Sequence, residues 1–307
     1  MNYLDVLIFV IVLFIYLHIY YHFNTSNDME IYTMDELIKE KLEEICNIKQ
    51  PLKFKYNDQQ LNKCTLKVLT ANTNPEFELN IRDISTNLED TQYILPFKIN
   101  DALNVINNDN KSRYITEKNI EFLENVNVLS AYENTCDFLK PPMTVSTKYD
   151  LYSGSKDSNT PLRYNIHYRN FYYVSSGKIM LKLIPPKDTH FLNQNKDYDL
   201  FEFNSNINPW NVSSQYIDKF KNVNHMDIEL VKGDMIYIPA YWWYSIKYIE
   251  ISSICVFQYK TVMNVMTITP EIIMYFLQTQ NTKHKTESTI ENILINVGKE
   301  KKEKKDN

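Results

Sequence analysis

Glycine is nearly missing from this chain: 4 of 307 residues, where average usage would give roughly 20. Each is therefore expected where the backbone demands it. Cysteine is also sparse. Cys46, Cys64, Cys136 and Cys255 are far apart and form no C-x-x-C pair, which argues against a zinc-finger-like cluster and for buried free thiols in a reducing compartment. There is no excess of basic charge. A formal net charge of -5 leaves no global basic field of the kind that draws nucleic acid. Nor is there any Lys or Arg before Lys39, so the positive-inside rule has nothing to act on at the N-terminus.

What the N-terminus does have is a nearly unbroken apolar run, VLIFVIVLFIYLHIYY from Val6 to Tyr21, interrupted only by His18. Extended to residues 4–23 it nears the ~20 residues that cross a bilayer as a helix. Tyr16, Tyr20 and Tyr21 gather at its end, as at a membrane interface. The preceding MNYLD carries Asp5 and no basic residue, and no A-x-A-like site follows, so the segment reads as a single-pass anchor rather than a cleaved signal. With 44 % hydrophobic and 23 % charged residues, the rest is long enough for a sizeable core. The main domain is expected to face the cytosol.

Thr33 to Glu36 fits a capping box and predicts a helix to about Ile48, ended by Pro51. The runs LKFKY, CTLKVLT and FELNIRDI predict strands between Leu52 and Phe97, and Thr116 is placed to cap a helix carrying Ile120, Phe122, Leu123 and Val126. From about Val145 to Met263 the pattern is strongly β, as in a sandwich or barrel. Pro270 then opens a helix, Ser288 to Glu291 is a further capping box, Gly298 a helix stop, and KEKKEKKDN a solvated charge block. The expected organisation is an anchor at 1–23, an α+β region at 24–144 packing on the barrel, the β unit at 145–263, and C-terminal helices with a charged tail at 264–307.

Two motifs carry chemistry: TPLRYNIHYRNFYYVSSGKIMLKLIPP from Thr160 to Pro186, and GDMIYIPAYWWYSIKYIE from Gly233 to Glu250. Together they resemble the cupin-like JmjC proteins of the asparaginyl- and lysyl-hydroxylase type. Gly154, Gly177 and Gly233 fall where that pattern has turns. The resemblance implies a double-stranded β-helix (cupin or jelly-roll-like), mainly β with flanking helices. It also implies an Fe(II) site of two histidines and one carboxylate, with 2-oxoglutarate as cosubstrate.

The metal positions are altered. Arg163 stands where the first histidine belongs, Asn165 where the aspartate belongs, and Tyr244 where the distal histidine belongs. A guanidinium has no lone pair to offer a metal, and an amide oxygen is a weak neutral ligand. His167 is the nearest histidine. The family's cosubstrate lysine falls on Ile179, with Lys178 beside it and Lys182 further along the strand; Thr160 and Asn170 match pocket-lining polar positions. Of the aromatic run Tyr241 to Tyr244, Trp243 is placed at the pocket rim.

These residues imply a membrane-anchored, catalytically degenerate cupin-like protein that binds a protein partner or a small anionic ligand, with no catalytic residue, no metal and no nucleic acid. Arg163, if buried, needs an anionic partner. The alternative is an active Fe(II)/2-oxoglutarate-dependent protein hydroxylase with a non-standard metal site around His167. A third reading, a structural component of a viral membrane, fits the composition and the anchor.

Overall fold

The structure is a computed structural model that describes residues 3–71, 73–84 and 94–280. Among them the strands form two sheets. The larger runs, in spatial order, β1 (Tyr32–Met34), β2 (Leu52–Lys55), β13 (Asp234–Pro239), β8 (Arg169–Ser176), β15 (Ser252–Thr261), β6 (Thr144–Gly154), β5 (Tyr114–Thr116), β3 (Glu78–Asp83) and β4 (Ile94–Lys98). The smaller runs β10 (Gln194–Asp197), β11 (Glu202–Ser205), β7 (Arg163–Tyr164), β14 (Trp243–Tyr248), β9 (Lys178–Ile184) and β12 (Met226–Val231). Strands from the first 120 residues extend the larger sheet at both edges, so the N-terminal region is part of the same hydrogen-bonded layer as the jelly-roll-like sandwich.

Period-2 alternation decides which side chains enter the space between the sheets. On β15, Ile254 and Val256 join Tyr172, Val174, Ile236 and Ile238 in the inter-sheet core, while Cys255, Phe257 and Tyr259 point the other way. That second face is covered by α2 (Lys39–Ile48), α3 (Leu66–Ala71), α4 (Ile99–Asn107), α5 (Ile120–Asn125) and α6 (Leu129–Leu139), whose buried residues share its cluster. On β9, Ile179, Leu181 and Leu183 face inward; on β14, Tyr244, Ile246 and Tyr248 do.

Glycine is used as its scarcity predicts. Gly177 links β8 to β9 at φ +79°, and a Cβ there would meet Ser252 Cα at 2.9 Å. Gly154 is a different case. It ends β6 rather than forming a positive-φ turn, and a Cβ there would press into the Tyr248 ring at 2.4 Å.

Three local expectations are corrected. CTLKVLT is helical in α3, because Thr65 Oγ1 accepts from Val68 N–H and Leu66, Leu69 and Thr70 bury one helical face. Thr33 lies in β1, and α2 starts later, after Ile38, without a side-chain cap. Thr116 ends β5 and its hydroxyl accepts from Asn119 Nδ2, while α5 starts at Ile120. After α7 (Ile217–Phe220) and α8 (Val262–Thr267), residues 269–280 are helical. The second capping box, Gly298 and the charged tail lie outside the described residues.

The apolar N-terminal run is α1 (Tyr3–Phe23), with mean hydropathy 2.3 and none of its most apolar window buried. Length and composition suffice to cross a membrane. Its C-terminal end is tied down: Lys49 Nζ donates to the carbonyls of Tyr21, His22 and Asn24, occupying acceptors that a helix end leaves unpaired. His22 Nε2 lies 3.1 Å from Tyr241 Oη and 3.2 Å from Asn264 Nδ2. Burial lowers the Lys49 ammonium to about 8. All cysteines are free thiols.

Candidate functional site

Between the sheets lies a cavity of about 170 Å³ whose walls include Arg163, Asn165, His167 and Tyr244. Antiparallel pairing of β7 with β14 sets Arg163 directly opposite Tyr244. The guanidinium carbon stands 5.7 Å from the Tyr244 ring centre and 5.3 Å from that of Tyr152. Asn165 Nδ2 donates to Tyr172 Oη at 2.7 Å and to Tyr244 Oη at 3.3 Å. The side chains at the three positions matched to a metal triad therefore converge on one small space.

What holds them there is charge. Arg163 is only 5 % exposed, and its Nη2 donates to Glu117 Oε2 at 2.6 Å. Glu117 Oε1 meets Arg82 Nε at 2.8 Å, Arg82 Nη2 reaches Glu202 at 2.6 Å, and Lys118 Nζ meets Glu202 at 2.7 Å. Burial alone would raise the Glu202 carboxyl, but Arg82, Lys118 and Arg163 outweigh it and hold it at about 2. Burial likewise works against an ionised Glu117, and Arg163 and Arg82 overcome it, so this carboxyl too is lowered.

The turn that delivers Glu117 is built by Asp150. Its carboxylate accepts from the backbone N–H groups of Lys118 (2.8 Å), Asn119 (2.7 Å) and Leu151 (2.8 Å), while Lys118 takes φ 62°. Burial pushes Asp150 up to about 6. Sequence reading missed Glu117, Arg82 and Glu202. The signal available was weak: Glu202 between Phe201 and Phe203 is a lone charge among aromatics, whereas Arg82, beside Ile81 and Asp83 in FELNIRDI, reads as an ordinary strand charge.

The other assigned residues lie elsewhere. Trp243 is fully buried but outside the cavity, because the alternation that turns Tyr244 inward turns its neighbour outward; its Nε1 donates to Thr189 Oγ1 at 2.8 Å. Thr160 is also outside the cavity, its hydroxyl accepting from Ile246 N–H at 2.9 Å. Asn170 pins β8 to β13 by donating to Ile238 O at 3.2 Å. Lys178 pairs with Glu229 at 2.9 Å, and Lys182 pairs with Asp227 at 2.7 Å over the Trp210 ring. Both lie on the opposite face of β9 from inward Ile179, so neither can stand in for a cosubstrate lysine.

The donor set does not fit Fe(II). The metal would need two imidazoles and a carboxylate on one face. Arg163 offers no lone pair, and Asn165 offers only a neutral amide oxygen in place of a carboxylate. Among the described residues no group of three or more His, Cys, Asp or Glu side chains is placed to hold a metal ion.

Comparison with known proteins agrees with the fold. The chain matches the family described as cupin-like domain over residues 33–265, most of its length, and it belongs to that family. JmjC domain-containing protein D of Dictyostelium discoideum is 28 % identical over 102 residues, which is 33 % of this chain and 22 % of that protein.

Replacing Glu117 with Gln leaves Arg163 buried without its counter-charge. Stability in urea is expected to drop by roughly 3–5 kcal/mol; a loss within experimental error would contradict the network described. Acid should act through Glu202. Its folded value of about 2 lies below the ordinary 4.5, so its ion pairs stabilise fully above the ordinary value and are lost as pH falls toward the folded one. The change is on the order of 3 kcal/mol, and urea midpoints measured across that window should fall steeply.

Proposed function

We propose that this member of the cupin-like family is held at a membrane by α1 and binds a ligand in its barrel without iron-dependent oxidation. One observation carries the reading. The position where the family resemblance calls for an imidazole holds a buried, permanently charged guanidinium, locked to Glu117 at 2.6 Å. A metal cation there would face Arg163 and displace no neutral ligand. Restoring a triad would require breaking an ion-pair network that spans β3, β7 and β11 together with the turn after β5.

The anchor reading is supported by the length and apolarity of α1 and by its exposure. A 21-residue helix extends roughly 30 Å, the thickness of a bilayer's hydrocarbon core. The Lys49 and His22 contacts tie that helix directly to the domain, so the barrel would sit close against the lipid surface with little freedom to swing.

Two measurements test the proposal. Full-length protein, loaded with Fe(II) under reducing conditions and desalted, is expected to retain far less than one iron per chain and to show no iron-dependent decarboxylation of 2-oxoglutarate. Stoichiometric iron with turnover, abolished by His167→Ala, would establish the hydroxylase instead. Membranes from expressing cells washed in alkaline carbonate should keep the protein in the pellet; release into the supernatant would remove the anchor.

A further inference from the structure

Part of the cavity wall carries ammoniums outside the ion-pair network: Lys148 feels the Asp150 carboxylate without pairing to it, and Lys260 Nζ stands 5.6 Å from the Phe201 ring centre. Lys148 on β6 and Lys260 on β15 line the same cavity as Arg163 and Lys118, against the carboxylates of Glu117 and Glu202. Those two carboxylates are already taken by Arg82, Arg163 and Lys118. Among the described residues neither Lys148 nor Lys260 has a carboxylate within ion-pair distance.

Alternation explains why they meet. β6 and β15 are neighbours with Gln258 opposite Lys148. Inward positions on β15 run Ile254, Val256, Gln258, Lys260, changing from apolar core to cavity wall. Burial decreases from Arg163 through Lys260 to Lys148, which is exposed, so cationic groups extend from the barrel interior to solvent.

Several groups on this wall have polar valences that nothing satisfies. Arg163 Nε and His167 Nδ1 are buried without hydrogen-bond partners. Burial, with Lys148 adding repulsion, lowers the Lys260 ammonium. Burial, followed by Lys260 and Lys148, keeps the His167 imidazole well below its ordinary value. The buried, unsatisfied Arg163 Nε–H and His167 Nδ1 thus sit at the inner end of a wall whose outer ammoniums are solvent-reachable, and one compact anion would satisfy the Nε–H and meet both lysines.

We propose that this cavity binds a small phosphate-bearing molecule, with Lys148 and Lys260 neutralising the phosphate and the free Nε–H of Arg163 available to donate to it. The inference rests on the reading of the barrel as a binding site without iron. Lysine ammoniums on separate strands suit a multiply charged oxyanion as point charges. A dicarboxylate held as in the family's cosubstrate pocket is disfavoured, because Ile179 lies in the apolar core, Thr160 is hydrogen-bonded into β14, and Lys182 faces the opposite side. The volume of about 170 Å³ admits a phosphate group with a small substituent.

The test uses full-length protein in non-ionic detergent, with inorganic phosphate as probe and chloride or succinate at matched ionic strength as controls. Phosphate is expected to raise the thermal midpoint. The Lys148→Ala/Lys260→Ala variant should bind phosphate at least about tenfold more weakly, while its own midpoint without phosphate changes little, since mutual repulsion is removed together with the Lys148–Asp150 attraction and the Lys260–Phe201 contact. No shift with phosphate, an equal shift in the variant, or an equal shift with succinate would each overturn the proposal. Iron content measured on the same samples separates the two readings: iron-free protein without a phosphate response sinks this inference alone, and stoichiometric iron sinks the reading beneath it.

Discussion

A guanidinium cannot be discharged inside a protein, and one placed within a β-sandwich must be neutralised by geometry. That constraint organises the centre of this molecule. Arg163 enters from β7 and meets Glu117, Glu117 also meets Arg82, and Arg82 shares Glu202 with Lys118. The network draws together both sheets and the turn after β5. The place of β5 beside β6, with β3 next to it, brings Glu117 and Arg82 to Arg163. A core of this kind exchanges hydrophobic contact for specificity of position, and removing any one charge exposes the others.

The same network bears on the chemistry. In an oxygenase of this architecture the inter-sheet space presents electron-pair donors to a cation. Here its wall presents a guanidinium paired with Glu117 and hydrogen-bond donors, with tyrosine rings around them. The ammoniums of Lys148 and Lys260 line the outer part of the same wall, past groups whose charge burial disfavours.

The barrel and the apolar N-terminal helix are not independent modules. Tyr241, at φ 65°, touches His22 at the end of α1, and the strand it leads into carries Tyr244 into the cavity. Trp242 Nε1 donates to Ser26 O at 3.1 Å just after the helix. The aromatic run thus works on three sides at once: toward the helix end, into the inter-sheet core, and outward onto Thr189.

Much of this was legible in the amino-acid sequence because it rests on local patterns. The apolar run of α1, the turn glycine Gly177, the alternating β runs after Val145 and the identities of Arg163, Asn165 and Tyr244 are read directly from residue order. Short segments were ambiguous where periods coincide: CTLKVLT satisfies a strand's alternation and a helix's i, i+3 spacing alike, and the packing of Leu66 and Leu69 decides for the helix. Which partner a buried charge takes could not be read at all. Arg82, Glu117, Arg163 and Glu202 come from four distant stretches with no spacing in common, and only closure of the two sheets makes them neighbours. Register settled the rest, since a one-residue step along a strand separates inward Tyr244 from outward Trp243, and inward Ile179 from outward Lys178.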